Sequence, residues 1–245
     1  MVFSHPNADV HAARATLLSR RFRHHSATAV LDFALGSMGK IALVSSFGAE
    51  SVALLHMAAL IDRAVPVLFI DTEMLFTETL VYQQELAERL GLINVQIVRA
   101  NAQSIRDQDS DGTLHQRDTN ACCALRKTNP LVDALEGFDG WITGRKRFQS
   151  GQRAELEHFE TDNGKFKVNP LAYWRPSDVV DYMTENRLPR HPLVARGYPS
   201  IGCAPCTSAV TAEEDPRAGR WRGTDKDECG IHFVNGKLVR TGENV

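Results

Sequence analysis

Short apolar runs separated by helical patterns constrain this chain most. Ile41–Val44, Val65–Ile70, Val95–Val98 and Trp141–Thr143 are too short for buried helices, and each is followed by small or polar residues. Between them, Val52–Ile61 and Thr77–Leu90 carry helix formers, the second closed by Gly91. Strands alternating with helices predict an α/β fold, a mostly parallel sheet with helices on both faces. Such sheets bind ligands beyond the carboxyl ends of their strands, so the loops 45–51, 71–77 and 144–153 are expected to share one edge.

The flanks are read in the same way. Ala8–Leu35 has apolar residues at helical spacing, with Leu17, Leu18, Phe22, Val30, Leu31 and Phe33 as core candidates. Asn101–Asp118 is polar and reads as an exposed loop. Thr119–Leu135 reads as helical apart from Pro130, Lys165–Leu171 as a fifth strand, and Pro176–Asn186 as a short helix with Pro in its first turn. From Leu188 onward Pro, Gly and charge dominate. The expected organisation is a nucleotide-binding and metal domain over 1–210 and a C-terminal tail over 211–245.

The 245 residues are 43% hydrophobic, enough for one sizeable α/β domain. A net charge of −2 argues against a general nucleic-acid binder. Met1–Arg20 lacks a signal-peptide apolar core, and no apolar stretch is long enough to span a bilayer. A cytoplasmic location without membrane association is expected. In a reducing compartment, grouped cysteines point to metal or catalysis before disulfides.

The five cysteines divide into four and one. Cys122 and Cys123 are adjacent, Cys203 and Cys206 form a C-x-x-C pair, and Cys229 stands alone in Glu228-Cys229-Gly230-Ile231-His232. A four-thiolate set suits tetrahedral zinc or an iron–sulfur cluster. Neighbouring helical side chains diverge by about 100°, which suits different irons of a 4Fe–4S cubane better than adjacent vertices of a zinc site. A thioredoxin-like pair at Cys203–Cys206, or four ordinary buried cysteines, are the alternatives.

Ser45–Ser51 offers small residues and hydroxyls between a strand and a helix, an anion-binding arrangement without the G-x-G-x-x-G or G-K-[ST] signatures. Acidic residues 225–228 beside Cys229 would raise its thiol pKa, so a nucleophilic role needs cations from elsewhere. Candidates are Arg126 and Lys127, Arg145, Lys146, Arg147 and Arg153, and Arg217, Arg220 and Arg222; His232 lies close to Cys229 in sequence.

Taken in order, Ser45–Ser51, Cys122-Cys123-x-x-Arg126-Lys127, Thr143-Gly144-Arg145-Lys146-Arg147-x-x-Ser150-x-x-Arg153, Cys203-x-x-Cys206 and Glu228-Cys229-Gly230-Ile231-His232 resemble the assimilatory adenosine phosphosulfate/3′-phosphoadenosine phosphosulfate reductases. The resemblance spans about residues 40–233. It implies reduction of adenosine 5′-phosphosulfate to sulfite and AMP, with thioredoxin or a similar dithiol as electron donor, in sulfate assimilation toward cysteine. It implies a 4Fe–4S cluster on Cys122, Cys123, Cys203 and Cys206, and Cys229 as nucleophile forming an S-sulfo intermediate. Lys127 would lie between cluster and substrate, with Arg217, Arg220 and His232 facing the phosphosulfate. Ser45, Gly48, Leu68, Gly144 and Arg153 would hold the nucleotide, with Ser46 and Phe47 in the same loop.

The 3′-phosphorylated nucleotide is an alternative or additional substrate, and the resemblance leaves a homo-oligomer possible. Gly223 and Gly230 flank the acidic stretch and suggest a moving tail. Two rivals differ in class. One is an ATP-pyrophosphatase-type sulfur-inserting enzyme, whose loop carries a second glycine and an aspartate that Ser45–Ser51 lacks. The other is a zinc-stabilised nucleotide-binding module.

Overall fold

The computed structural model describes residues 8–224 and Lys226, together with the backbone pairing of 233–234 with 237–238. In chain order the elements before the cysteines are α1 (Ala8–Phe22), α2 (Ala27–Ser37), β1 (Ile41–Ser45), α3 (Ser51–Ile61), β2 (Val67–Ile70), α4 (Thr77–Leu90) and β3 (Val95–Val98). Then come α5 (Ala102–Gln108), α6 (Leu114–Arg117), α7 (Thr119–Cys123), α8 (Asn129–Ala134), β4 (Gly140–Ile142), β5 (Phe159–Asp162), β6 (Lys165–Val168) and α9 (Pro176–Glu185), with a two-residue pair, β7 (Phe233–Val234) and β8 (Lys237–Leu238), beyond.

Six strands form one sheet in the order β3-β2-β1-β4-β6-β5. All neighbours are parallel except β5, which returns antiparallel on β6 through an Asn163-Gly164 turn with both residues at positive φ. Alternation along β1 divides the interior. Ile41 and Leu43 face a large core built with α1, α2, α3, α4 and α9, while Ala42 packs with Leu68, Ile70 and Trp141 against Leu131 and Leu135 on the other face. The parallel sheet with helices on both faces is therefore present, and α3 is apolar almost all round because it is buried.

The structure departs from the sequence reading in several places; among the strands, β2 begins at Val67 and β4 runs Gly140–Ile142. The expected helix over 8–35 is two helices, because Ser26 takes an extended conformation and its side chain accepts the Ala29 N–H at 3.2 Å, starting α2 afresh. Leu17 is 65% exposed while Leu18 is buried; successive helical positions turn away from each other, and the inward stripe is Ala15, Leu18, Phe22. The segment 101–118 is not a plain loop: Asn101 caps α5 through Gln103 N–H and Ser104 N–H, and Asp109 is buried before α6. The fifth strand ends at Val168, and the antiparallel β5 escaped notice because Glu160 and Asp162 interrupt its apolar pattern.

Candidate functional site

Strands β1, β2 and β4 run parallel, so their carboxyl ends lie on one edge. The loops 45–51 and 144–153 meet there around a cleft of about 630 Å³. In the first loop Ser45 Oγ accepts the Phe47 N–H at 3.1 Å, Ser51 Oγ accepts the Gly48 N–H at 3.0 Å, and Gly48 O accepts the Ser51 N–H at 3.2 Å. The hydroxyls thus hold the loop open around the start of α3. Phe47 takes a left-handed conformation, φ 48°, which sends its ring into the core, edge-on to Phe69 at 5.2 Å.

Two cations of the second loop are internally matched. Lys146, 2% exposed, donates to Glu50 Oε2 at 2.8 Å and to Gly144 O at 3.1 Å; burial pushes its pKa down and Glu50 opposes that. Arg145 donates to Glu160 Oε2 at 2.6 Å and to Asn169 Oδ1 at 3.0 Å, and burial likewise lowers its pKa. The far wall of the cleft is made by residues 199–201 with Arg217 and Arg220. Arg220 Nη1 donates to Ile201 O at 3.2 Å, and its guanidinium lies over the Trp221 ring at 4.4 Å. A Cβ at Gly202 would overlap the Arg220 guanidinium, so any side chain there displaces that group.

Beside this wall, the thiols of Cys122, Cys123, Cys203 and Cys206 line one small pocket, with Lys127, Arg126, Thr72 and Trp221. Cys122 and Cys123 end α7, and a π-helical turn over 124–128 continues directly into α8, so the helix expected over 119–135 is one continuous rod that tolerates Pro130 near the start of its last segment. Arg126 and Lys127, in the π-helical turn that follows the two cysteines, line the same pocket. The C-x-x-C turn is pinned from two sides. Ala204 N–H donates to Met74 O at 2.7 Å, and Trp221 N–H donates to Cys206 O at 3.0 Å. Thr72 Oγ1 and Cys203 Sγ are 3.2 Å apart.

The thiols feel one another. Burial pushes Cys122 up to about 12, with Cys123 and Cys203 adding to the shift. Burial, then Cys203 and Cys123, also raise Cys206, while Lys127 and Arg220 pull it down. Arg220 lines the cleft, and the Trp221 ring under its guanidinium lines the cysteine pocket. Arg126 is locked by Asp109, with Nε and Nη2 donating to Oδ2 at 3.0 and 2.8 Å, and by Thr72 O at 3.0 Å. The space between the thiols is about 10 Å³. Among the described residues, no three His, Cys, Asp or Glu side chains form a group suited to a metal ion.

Of the residues expected from sequence, Ser45, Ser46, Gly48, Gly144, Arg153, Arg217 and Arg220 line the cleft, and Lys127 lies with the four cysteines. Two do not fit that expectation. The Phe47 ring is buried in the core, and Leu68 belongs to a strand buried at every position, its side chain in the second core. Cys229 and His232 lie outside the described residues. Sequence reasoning missed Glu50, Asp109 and Thr72. Glu50 could have been noticed as the one carboxylate in a small-residue loop; Asp109 and Thr72 are marked only by contacts distant in sequence.

A parallel sheet whose first strand leads through a hydroxyl-rich loop into a buried helix, with cations opposite, defines an α/β nucleotide-cleft fold of the adenine nucleotide alpha hydrolase type. The solved phosphoadenylyl-sulfate reductase from Candida auris, in its phosphate complex, superposes with a TM-score of 0.68 at 24% identity, covering 86% of this chain and 99% of that one. Yeast FAD synthetase shares the fold more distantly, with a TM-score of 0.53 at 14% identity over 82% of this chain and 75% of its own. Residues 40–209 match the phosphoadenosine phosphosulfate reductase domain, and the chain belongs to that family of enzymes. Similar relatives are adenosine 5′-phosphosulfate reductases. That of Mesorhizobium japonicum is 46% identical over 91% of this chain and 88% of its own, that of Chelativorans sp. 45% over 88% and 89%, and that of Salinibacter ruber 37% over 90% and 89%.

Proposed function

We propose that this enzyme reduces adenosine 5′-phosphosulfate to sulfite and AMP, with electrons from a thioredoxin-type dithiol. The observation that carries the reading is the adjacency of cleft and cysteine pocket: Arg220 lines the cleft, and Trp221, beneath its guanidinium, lines the pocket of the four cysteines. The substrate's adjacent phosphate and sulfate repel an approaching thiolate unless cations offset their charge. Arg217 and Arg220, which line the cleft, and Lys127, which lines the cysteine pocket, would supply that charge.

In this reading Cys229 attacks the sulfate sulfur. The bond from sulfur to the bridging oxygen breaks and AMP leaves with the electron pair, giving Cys229 Sγ–SO₃⁻. A dithiol thiolate then attacks Cys229 Sγ, sulfite departs with the S–S pair, and the second dithiol sulfur resolves the mixed disulfide. Sulfur gains the two electrons that the dithiol loses. The described chain supports the reach of Cys229. Lys226 Nζ donates to Asn120 Oδ1 at 2.6 Å and sits 5.7 Å from the Trp221 ring centroid, against the cysteine-bearing helix. Three further residues extend at most about 11 Å. Gly223, at φ 82°, precedes this contact and takes a backbone conformation that favours glycine.

Cys122, Cys123, Cys203 and Cys206 would hold a 4Fe–4S cluster. The donor set fits: four thiols on one pocket, with Lys127, Arg126 and Arg220 to balance thiolate charge. When bound, the cluster supplies a cross-link between α7 and the C-x-x-C turn and a local field at Lys127. In this reading the reaction belongs to sulfate assimilation toward cysteine, in a reducing compartment such as the cytoplasm. Among the described residues no helix is long and apolar enough to cross a membrane. The test is sulfite release by the purified chain from adenosine 5′-phosphosulfate with thioredoxin. Pyrophosphate release from ATP instead of sulfite would favour the sulfur-inserting rival.

A further inference from the structure

Strands β2 and β3 run parallel with Ile70 beside Val98, so the next residues, Asp71 and Arg99, leave the sheet side by side. Asp71 N–H donates to Val98 O at 2.9 Å. The Asp71 carboxylate is 5% exposed, and its Oδ2 accepts from Arg99 Nε at 2.9 Å and Nη2 at 2.8 Å. Its Oδ1 accepts the Glu73 N–H at 2.9 Å. That bond falls where the backbone is strained. Glu73 sits at φ 60°, the left-handed region that residues with a Cβ rarely adopt. Asn163 and Arg187 share this conformation, but the first turns a hairpin and the second closes a helix. At Glu73 neither reason applies, and the bond from Asp71 holds the turn.

The residues around this turn grip the first half of the C-x-x-C segment. Thr72 Oγ1 accepts the Met74 N–H at 3.3 Å and lies 3.2 Å from Cys203 Sγ. Met74 O accepts the Ala204 N–H at 2.7 Å, and Leu75 pairs with Cys203 in an isolated antiparallel bridge. A change of backbone hand at Glu73 would redirect the chain from Met74 onward and take both contacts away from Cys203 and Ala204.

Resting on the four-cysteine site proposed above, we propose that Asp71, braced by Arg99, is a positioning residue of the cysteine pocket: it fixes the left-handed turn at Glu73 through which Met74 and Leu75 hold Cys203 in register with Cys122 and Cys123. Asp71 touches neither thiol nor nucleotide in this role. It acts through the backbone, and the Arg99 guanidinium keeps its carboxylate ionised and aimed. The pocket is thereby tied to an ion pair at the end of the sheet's edge strand, β3.

The experiment is pulsed iodoacetamide alkylation of the full chain as purified anaerobically, with the cysteines mapped by mass spectrometry. The reading is the rate at Cys203 divided by the rate at Cys123, which α7 carries. General loosening of the fold raises both rates and leaves the ratio alone; local opening of the 71–75 loop raises the ratio. Asp71→Ala should raise it roughly tenfold or more, the range for losing a charge-assisted hydrogen bond from a buried site. Arg99→Gln, at a half-exposed position, should raise it about threefold. Glycine takes the left-handed backbone freely, so adding Glu73→Gly to Asp71→Ala should bring the ratio back to within about threefold of the parent. A folded Asp71→Ala chain with the parent's ratio overturns the assignment, as does a double variant that stays at the Asp71→Ala value. If Asp71→Ala does not fold, Arg99→Gln decides, and an unchanged ratio there overturns it. Iron bound to the chain should also pass to a ferrous chelator roughly tenfold faster in Asp71→Ala than in the parent; equal rates overturn the assignment. A parent chain without iron would sink the cluster reading, and the alkylation ratio would still decide this inference.

Discussion

Removing the Asp109 carboxylate should be among the most costly single changes in the molecule. Asp109 has no exposed side-chain area, and Arg126 is 7% exposed. Asp109 Oδ2 accepts two guanidinium hydrogen bonds, at 3.0 and 2.8 Å, and Oδ1 accepts the Leu114 N–H at 2.7 Å to start α6. Deleting one partner of a buried pair strands the other charge, at about 3–5 kcal/mol. Glu73 lies 3.7 Å from Arg126 and is half-exposed, so it offsets only a small part. Thr72 O still accepts from Nη1 but carries no net charge. Asp109→Ala should therefore lower unfolding stability by about 3–5 kcal/mol, read from urea midpoints at constant slope. Arg126→Met in the same background should recover part of the loss, because no buried charge remains. A loss below about 1 kcal/mol for Asp109→Ala, the range of a surface pair, would refute the claim that this contact is buried and matched.

Acid should act through His191. Its Nδ1 accepts the Leu193 N–H at 3.2 Å, and burial lowers its pKa to about 4. The unfolded chain then binds the proton first, so stability falls as pH drops from about 6.5 through about 4. Thermal midpoints across that range should flatten in His191→Gln; an unchanged slope would assign the acid sensitivity elsewhere. Gly202→Ala places a Cβ 2.5 Å from Arg220 Cζ and should reduce kcat/KM for sulfite release by roughly tenfold or more, with the fold retained. Full activity would remove Arg220 from the substrate's path. Anaerobically purified protein should be brown, and Cys203→Ser should bleach it; a colourless parent containing zinc would favour the non-catalytic rival.

Much of the fold was legible because periodicity carries it. Val95–Val98 and Thr77–Leu90 were bounded correctly, as apolar alternation and a terminal Gly91 mark them locally. The β5 strand was not, since its polar face holds Glu160 to Arg145 and Asp162 to Lys167, partners that only the folded sheet supplies. The break before α2 depended on one serine cap within a continuous helical pattern. At the site, the four cysteines came to one pocket with Lys127, and Arg217 and Arg220 to the neighbouring cleft. Leu68 and Phe47 did not, because strand alternation and a left-handed φ turn their side chains inward. Glu50 stayed hidden because its meaning depends on Lys146, nearly a hundred positions away.

The proposed reaction turns on the fate of sulfur at Cys229. The chain should be mixed with adenosine 5′-phosphosulfate without a dithiol, and its peptides mapped by mass spectrometry. One SO₃ group added at Cys229, lost with stoichiometric sulfite when thioredoxin is supplied, is the predicted result. Sulfite released by a Cys229→Ser variant at the parent rate, or an unmodified Cys229 in a chain that turns over, would contradict it.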